Sequence, residues 1–157
     1  MSDTVEGGAL TCRRYEDPIY ALGRAVELLR HRTPFAAYGF GKLANVLMGQ
    51  IRRGHFVFTE DARTAVGYAG WALCDEEVAL AWIRRERVPR FEECIDGDCW
   101  VGITFYAASP EVCFAQARWL RRKYPDMKGF GLRDYGDRQR PVAVSNQPFR
   151  QPLGAAG

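Results

Sequence analysis

Histidine, paired cysteines and long apolar runs are scarce in this chain, and each absence narrows the classes of protein that fit it. There are two histidines and five cysteines, and no two cysteines have the two-residue spacing of zinc and redox motifs. No apolar stretch approaches the roughly 18 residues of a membrane span, and the N-terminus lacks the basic and apolar regions of a secretion signal. We therefore expect a reduced, cytoplasmic protein with no metal site and no membrane span.

A strong net charge is absent as well, which argues against a dedicated nucleic-acid-binding protein. The formal net charge is +3 over 157 residues, and no strand has the aromatic and basic pattern of RNA-binding sheets. A nucleic-acid-binding module is a rival interpretation. Affinity for random DNA that falls steeply as salt is added would support it. The chain is long enough to bury one sizeable core, and we expect a single domain over residues 17–148 with loose tails at 1–16 and 149–157.

Apolar spacing predicts two helices ahead of the first strand. The first has apolar residues at steps of three and four from Ile19 to Leu29, and the preceding Asp17-Pro18 is typical of a helix start. The second has its apolar residues at helical spacing over residues 40–51 and ends in two arginines and Gly54, which favours a left-handed glycine cap.

The remainder of the chain predicts short strands alternating with helices. We expect an antiparallel pair of strands at 55–60 and 65–74, followed by a short helix at 75–83. A central strand at 100–108, a long helix at 110–124 and a final hairpin around 135–140 complete the chain. The predicted order is α-α-β-β-α-β-α-β-β. This order indicates an α+β fold, with an antiparallel or mixed central sheet flanked by helices.

Four segments resemble the toxin-activating lysine acyltransferases, in the same order and at matching separations. They are LANVLMGQIRRGHFVFTED, AVGYAGWAL, GDCWVGITFYAA and ARWLRRKYPD. The resemblance begins near residue 22 and extends to about residue 144. It implies a GNAT-like acyltransferase fold and the transfer of a fatty acyl group from acyl carrier protein to lysines of an RTX-type protoxin. It also implies acyl-acyl carrier protein as the donor, with no tightly bound cofactor.

The family uses a histidine between its first two helices and an aspartate on its central strand. In this chain Thr104 stands at the position of the aspartate. Alignment without gaps puts Phe35 at the position of the histidine, and His31 reaches it if a few residues are inserted. His31 is the candidate general base, because imidazole can accept a proton from a lysine amine near neutral pH. The alternative for His31 is a helix-end cation, and His55 is more readily structural.

Two further groups of residues follow from the resemblance. Tyr68, Trp71 and Thr104 would line an apolar slot for the acyl chain, although a core strand needs the same residue types. Basic residues at helix ends would form a surface for acyl carrier protein if they converge in space: Arg52, Arg53, Arg121, Arg122 and Lys123. Each basic group is also explained by the helix dipole alone. Cys99 and Cys113 are candidate acyl-carrying thiols. The alternative for each is an inert buried cysteine, which is more frequent in proteins than a reactive one.

The segment after the central strand lacks the glycine-rich loop that holds the pyrophosphate of acetyl-CoA in GNAT enzymes. Its sequence is AASPEVCF, and Pro110 removes one backbone donor. This favours a carrier-protein donor. The alternative function is a catalytically degenerate protein that binds an acyl carrier or another protein, and Thr104 favours it. The target lysine, the acyl chain length and the oligomeric state stay open, with a homodimer among the options.

Overall fold

Strands and helices alternate along the chain much as the sequence predicts. The computed structural model describes residues 9–134 and 139–144. Its elements are β1 (Thr11–Arg13), α1 (Pro18–Leu29), α2 (Phe40–Arg53), β2 (Phe56–Glu60), β3 (Ala65–Cys74), α3 (Glu76–Ile83), β4 (Cys99–Ala107), α4 (Pro110–Lys123), β5 (Lys128–Asp134) and β6 (Gln139–Val144). The predicted α+β class and the predicted order from α1 to β6 are confirmed. This order is also the one expected from the resemblance to GNAT-like acyltransferases.

Strand β1 lies in the segment that the sequence predicts as a loose tail. It pairs antiparallel with β2, from Thr11 opposite Glu60 to Arg13 opposite Phe58. The tail prediction is wrong for these residues, because three residues are too few to show an alternating pattern. The predicted tail residues 1–8 and 149–157, and residues 135–138 of the predicted hairpin turn, lie outside the described residues.

The ends of the first two helices are set by the residues that the sequence indicates. The Oδ1 atom of Asp17 accepts hydrogen bonds from the backbone N–H groups of Ile19 at 2.8 Å and Tyr20 at 3.2 Å, which satisfies two of the free donors at the start of α1. Gly54 closes α2 with φ of 71°, a left-handed conformation that glycine adopts without steric cost.

The sheet is mixed, with strands in the order β1-β2-β3-β4-β5-β6. The pairs β1–β2, β2–β3 and β5–β6 are antiparallel. The pair β4–β5 is parallel, and it matches Cys99–Val101 with Lys128–Phe130 only. Since β4 is nine residues long, most of it has no described partner in β5.

The chain folds as two compact units. The first unit comprises the described residues up to Gly70 together with Thr104–Lys123, and the second comprises Trp71–Ile103 and the described residues from Tyr124 onward. The core of the first unit is rich in aromatic side chains, and that of the second contains mainly small apolar side chains and thiols. The single domain over residues 17–148 stays a prediction. None of the helices in the described ranges has the length and apolar character needed to cross a membrane.

Candidate active site

A chain of three buried polar side chains lies in the first unit. The hydroxyl of Tyr68 donates to Oε1 of Gln50 at 2.9 Å, and Nε2 of Gln50 donates to Oγ1 of Thr104 at 2.9 Å. Their exposed fractions are 0% for Tyr68, 1% for Gln50 and 3% for Thr104. Burial raises the pKa of Tyr68 far above its ordinary value, so its hydroxyl stays neutral and acts as a hydrogen-bond donor.

Helix α2 and strand β3 together position this chain. Gln50 lies on the buried face of α2, beside Leu47 and Ile51. Tyr68 and Gly70 lie on the same face of β3, because side chains two residues apart in a strand point the same way. A Cβ atom at Gly70 would overlap the amide of Gln50. Glycine at this position therefore leaves the room that the Gln50 amide occupies.

The three predicted acyl-binding residues are core residues of their units. Tyr68 and Thr104 belong to the first unit and take part in the polar chain just described. Trp71 belongs to the second unit, is 1% exposed, and donates from Nε1 to the hydroxyl of Tyr124 at 3.0 Å. An acyl-binding role for these residues stays a prediction, because each is also accounted for as a well-packed core residue with a satisfied polar group.

His31 is exposed and follows the end of α1. The neighbouring Arg32 places its guanidinium 5.3 Å from the ring centroid of Tyr106, a residue of β4. This contact holds the segment after α1 against the strand that carries Thr104. No hydrogen bond in the described part of the chain joins His31 to Thr104, and the role of His31 as a base stays a prediction. His55 is buried at 7% exposure, and its environment is that of a core residue.

Arg14 connects the basic ends of two helices. Its Nη1 donates to the carbonyl oxygen of Gly54, at the end of α2, at 2.8 Å. Its guanidinium lies 6.0 Å from the ring centroid of Trp119 on α4. The Nζ of Lys123 lies 5.4 Å from the same ring, so two cations flank one indole.

Two cations of the first unit, Arg14 and Lys123, therefore meet at Trp119. We use the name basic surface for the predicted Arg52, Arg53, Arg121, Arg122 and Lys123 together with Arg14. The contacts just described bring together Arg14 and Lys123, and the convergence of the other four stays a prediction. Partial burial and then the charge of Arg14 lower the pKa of Lys123, as expected for an ammonium group that lies close to a second cation. The sequence did not identify Arg14 because Arg14 falls in the predicted tail. The sequence did not identify Trp119 as part of a site, because a tryptophan on the apolar face of an amphipathic helix is expected to be a core residue.

The N-terminus of α4 is poorly suited to a phosphate. The Oγ of Ser109 accepts from the backbone N–H of Val112 at 3.4 Å, and the first turn carries the carboxylate of Glu111. The backbone N–H of Glu111 itself and then the Ser109 hydroxyl lower the pKa of the Glu111 side chain, so the carboxylate is ionised at neutral pH. A fixed negative charge at this helix end opposes a pyrophosphate group, which would need the same donors.

The candidate thiol Cys99 lies in a small acidic cluster of the second unit. Burial, followed by the charge of Asp98, raises the pKa of Cys99 to about 12, so the thiol is not a nucleophile near neutral pH. Ligand atoms of Glu76, Asp98 and Cys99 lie within 4.8 Å of one another, as a metal site requires. However, Nζ of Lys128 already binds the carboxylate of Glu76 at 3.0 and 3.2 Å. The absence of a metal site stays a prediction, as does an acyl-carrying role for Cys113.

No family model matches the chain, and no curated protein matches it either. Among solved structures, it is similar to one described as histone acetyltransferase HPA2 and related acetyltransferase from Corynebacterium glutamicum. The identity is 18%, the TM-score is 0.47, and the match covers 80% of this chain and 76% of the other. A likeness at this level says nothing about the reaction or the substrate of this chain.

Proposed function

We propose that this protein is a GNAT-like lysine acyltransferase of the toxin-activating kind. It transfers a fatty acyl group from acyl carrier protein to lysine side chains of an RTX-type protoxin or a similar protein. The observation that carries the proposal is the convergence of the ends of α2 and α4 at Arg14. The resemblance of four sequence segments to that family supports the acyl-transfer chemistry.

The basic surface supports a carrier protein as the donor. Acyl carrier proteins are acidic, and a surface of one charge sign speeds the association of a partner of the opposite sign. The helix dipole accounts for cations at each helix end separately, whereas Arg14, which lies outside both helices, contacts both α2 and α4. The carboxylate of Glu111 at the start of α4 makes a coenzyme A pyrophosphate the less suitable donor group.

The proposed reaction is a direct transfer. The Nζ atom of the acceptor lysine attacks the thioester carbonyl carbon, so that a C–N bond forms as the C–S bond breaks. His31 accepts the proton that the amine loses, and the sulfur of the carrier's pantetheine arm leaves and takes up a proton. Backbone N–H groups at strand edges stabilise the oxyanion. Thr104 supplies no base in this scheme, because a threonine hydroxyl does not ionise near neutral pH.

Transfer of a labelled acyl group from acyl carrier protein to a lysine-bearing protein tests the proposal. Replacement His31→Ala should lower the transfer rate by at least about a hundredfold, because a general base contributes that much or more. Arg30→Ala, at the neighbouring exposed position, is the matched control and should transfer at the wild-type rate. Near-normal transfer by His31→Ala would reject His31 as the base.

A catalytically degenerate carrier-binding protein is the second candidate. It is favoured by Thr104, whose hydroxyl accepts a hydrogen bond from Gln50 where the family has an ionisable aspartate. This candidate predicts that the wild-type protein binds acyl carrier protein and transfers nothing to any lysine. The same labelled assay therefore separates the two functions.

A further inference from the structure

The segment that enters α2 forms an exposed apolar tip. Residues 36–42, sequence AAYGFGK, are all exposed; we call them the α2 tip. Phe40 is 79% exposed and Tyr38 is 45% exposed. A Cβ atom built at Gly39 or at Gly41 would meet no atom within 4 Å. Phe40 therefore stands between two positions with open space around them, and its exposed ring can contact another surface.

The charge around the α2 tip has one sign. Residues 28–51 contain three basic residues apart from histidine, Arg30, Arg32 and Lys42, and no aspartate or glutamate. The Nζ of Lys42 lies 5.8 Å from the ring centroid of Tyr38. A cation therefore stands beside an exposed aromatic ring, which is the pairing found where proteins meet the headgroup layer of a membrane.

The start of α2 adds donors for an anion. Gly39 is the N-cap, and no described side chain caps this helix end. The N–H of Leu43 bonds the carbonyl of Gly39, so the backbone N–H groups before it have no partner within the helix. Such N–H groups favour a phosphate, and the positive end of the helix dipole adds to the attraction.

We propose that the α2 tip binds the surface of bilayers that contain anionic phospholipids. Phe40 enters the boundary between headgroups and acyl chains, while Lys42 and the first N–H groups of α2 contact a lipid phosphate. A fluid lipid surface admits a single projecting aromatic ring without a preformed pocket. A protein interface typically presents a broader patch with a polar rim. A protein partner would also have to supply all the carboxylates that pair with the cations around the α2 tip. The proposal is independent of the acyl-transfer function.

Co-sedimentation of the full chain with vesicles tests this binding. Vesicles of phosphatidylcholine alone are compared with vesicles that contain about 30% phosphatidylglycerol, at low and at high salt. We expect binding to the anionic vesicles only, weakened by salt. Phe40→Ser and Lys42→Glu should each lower the partition coefficient about tenfold, since one removes the inserted ring and the other reverses a contacting charge.

Phe114→Ser is the matched control for Phe40→Ser. Phe114 is also an exposed aromatic residue of the first unit, at 66% exposure on α4, and its replacement should leave vesicle binding unchanged. Circular dichroism of each variant checks that the fold is retained. The proposal is overturned by absence of binding to anionic vesicles, by equal binding to neutral ones, or by equal effects of the two serine variants. If Phe40→Ser instead abolished binding to a protein acceptor while no vesicle bound, the α2 tip would be a protein-binding surface.

Discussion

The cores of the two units bury different kinds of polar group. The first unit buries the hydrogen-bonded chain of Tyr68, Gln50 and Thr104, in which each side chain depends on its neighbour. The second unit buries thiols such as Cys74 and Cys99, at 0% exposure, which need no partner but resist ionisation. The stability of the first core should therefore fall when one hydrogen-bonding side chain of the chain is removed. The stability of the second core should fall when a larger residue is introduced and when the pH is high.

The largest effect is expected in the second unit, at Gly97. A Cβ atom there would overlap the backbone carbonyl group of Cys74 at the end of β3. Because backbone atoms cannot rotate away as a side chain does, Gly97→Ala should lower the free energy of unfolding by about 4 kcal/mol. Urea unfolding of the variant and of the wild type measures this difference in unfolding free energy.

Gly131→Ala is the control for this prediction, since a Cβ atom at Gly131 would meet nothing within 4 Å. It should change the free energy of unfolding by no more than about 0.5 kcal/mol. Equal costs at the two glycines would contradict the close packing of residue 97 against β3.

In the first unit, Gln50→Leu should cost about 3 kcal/mol of unfolding free energy. Leucine has a similar volume, but it leaves both the Tyr68 hydroxyl and the Thr104 hydroxyl buried without Gln50 as a partner. The triple variant Gln50→Leu, Tyr68→Phe, Thr104→Val should recover most of the loss, because no polar group is then stranded. If the single variant were as stable as the wild type, the three side chains would not act as a chain.

The thiols of the second unit predict a loss of stability at alkaline pH. Burial raises the pKa of Cys74 and of Cys99 to about 12, against an ordinary value of 9.0. The unfolded chain therefore loses these protons first as the pH rises, so the stabilisation is complete below about pH 9 and is lost between about pH 9 and 12. Between pH 8 and pH 10 the two thiols together should lower the unfolding free energy by about 3 kcal/mol.

Urea unfolding at the two pH values measures this loss, with the double variant Cys74→Ala, Cys99→Ala as the control. The variant removes both titrating groups and should show a smaller drop between pH 8 and pH 10. An identical drop in the two proteins would mean that other groups cause it.

Local features of the fold could be predicted from the sequence, and long-range ones could not. Asp17 at the start of α1 and Gly54 at the end of α2 act within a few residues of themselves, so their roles follow from residue type and periodicity. Strand β1 forms only because β2, more than forty residues later, offers it an edge, and its three residues have no pattern of their own.

The same distinction applies to the candidate site. The basic helix ends were identified from the sequence, but the contact of Arg14 with the end of α2 was not, because Arg14 meets Gly54 across 40 residues of chain. Tyr68 and Thr104 were singled out as slot residues, whereas Gln50, which joins them, was missed. A usable signal was present, since Gln50 is a polar residue between the apolar Leu47 and Ile51 on the inner face of an amphipathic helix.

Titration with acyl carrier protein tests the central claim most directly, because the claim rests on the basic surface. Isothermal calorimetry at low salt should show binding by the wild type that weakens as salt is added. Arg14→Ala should weaken it about tenfold, because the contacts that join the two helix ends are lost. Arg63→Ala, which removes the same charge from the exposed turn between β2 and β3, should leave the affinity within about twofold. Failure of the wild type to bind, or equal affinities for the two variants, would contradict the account.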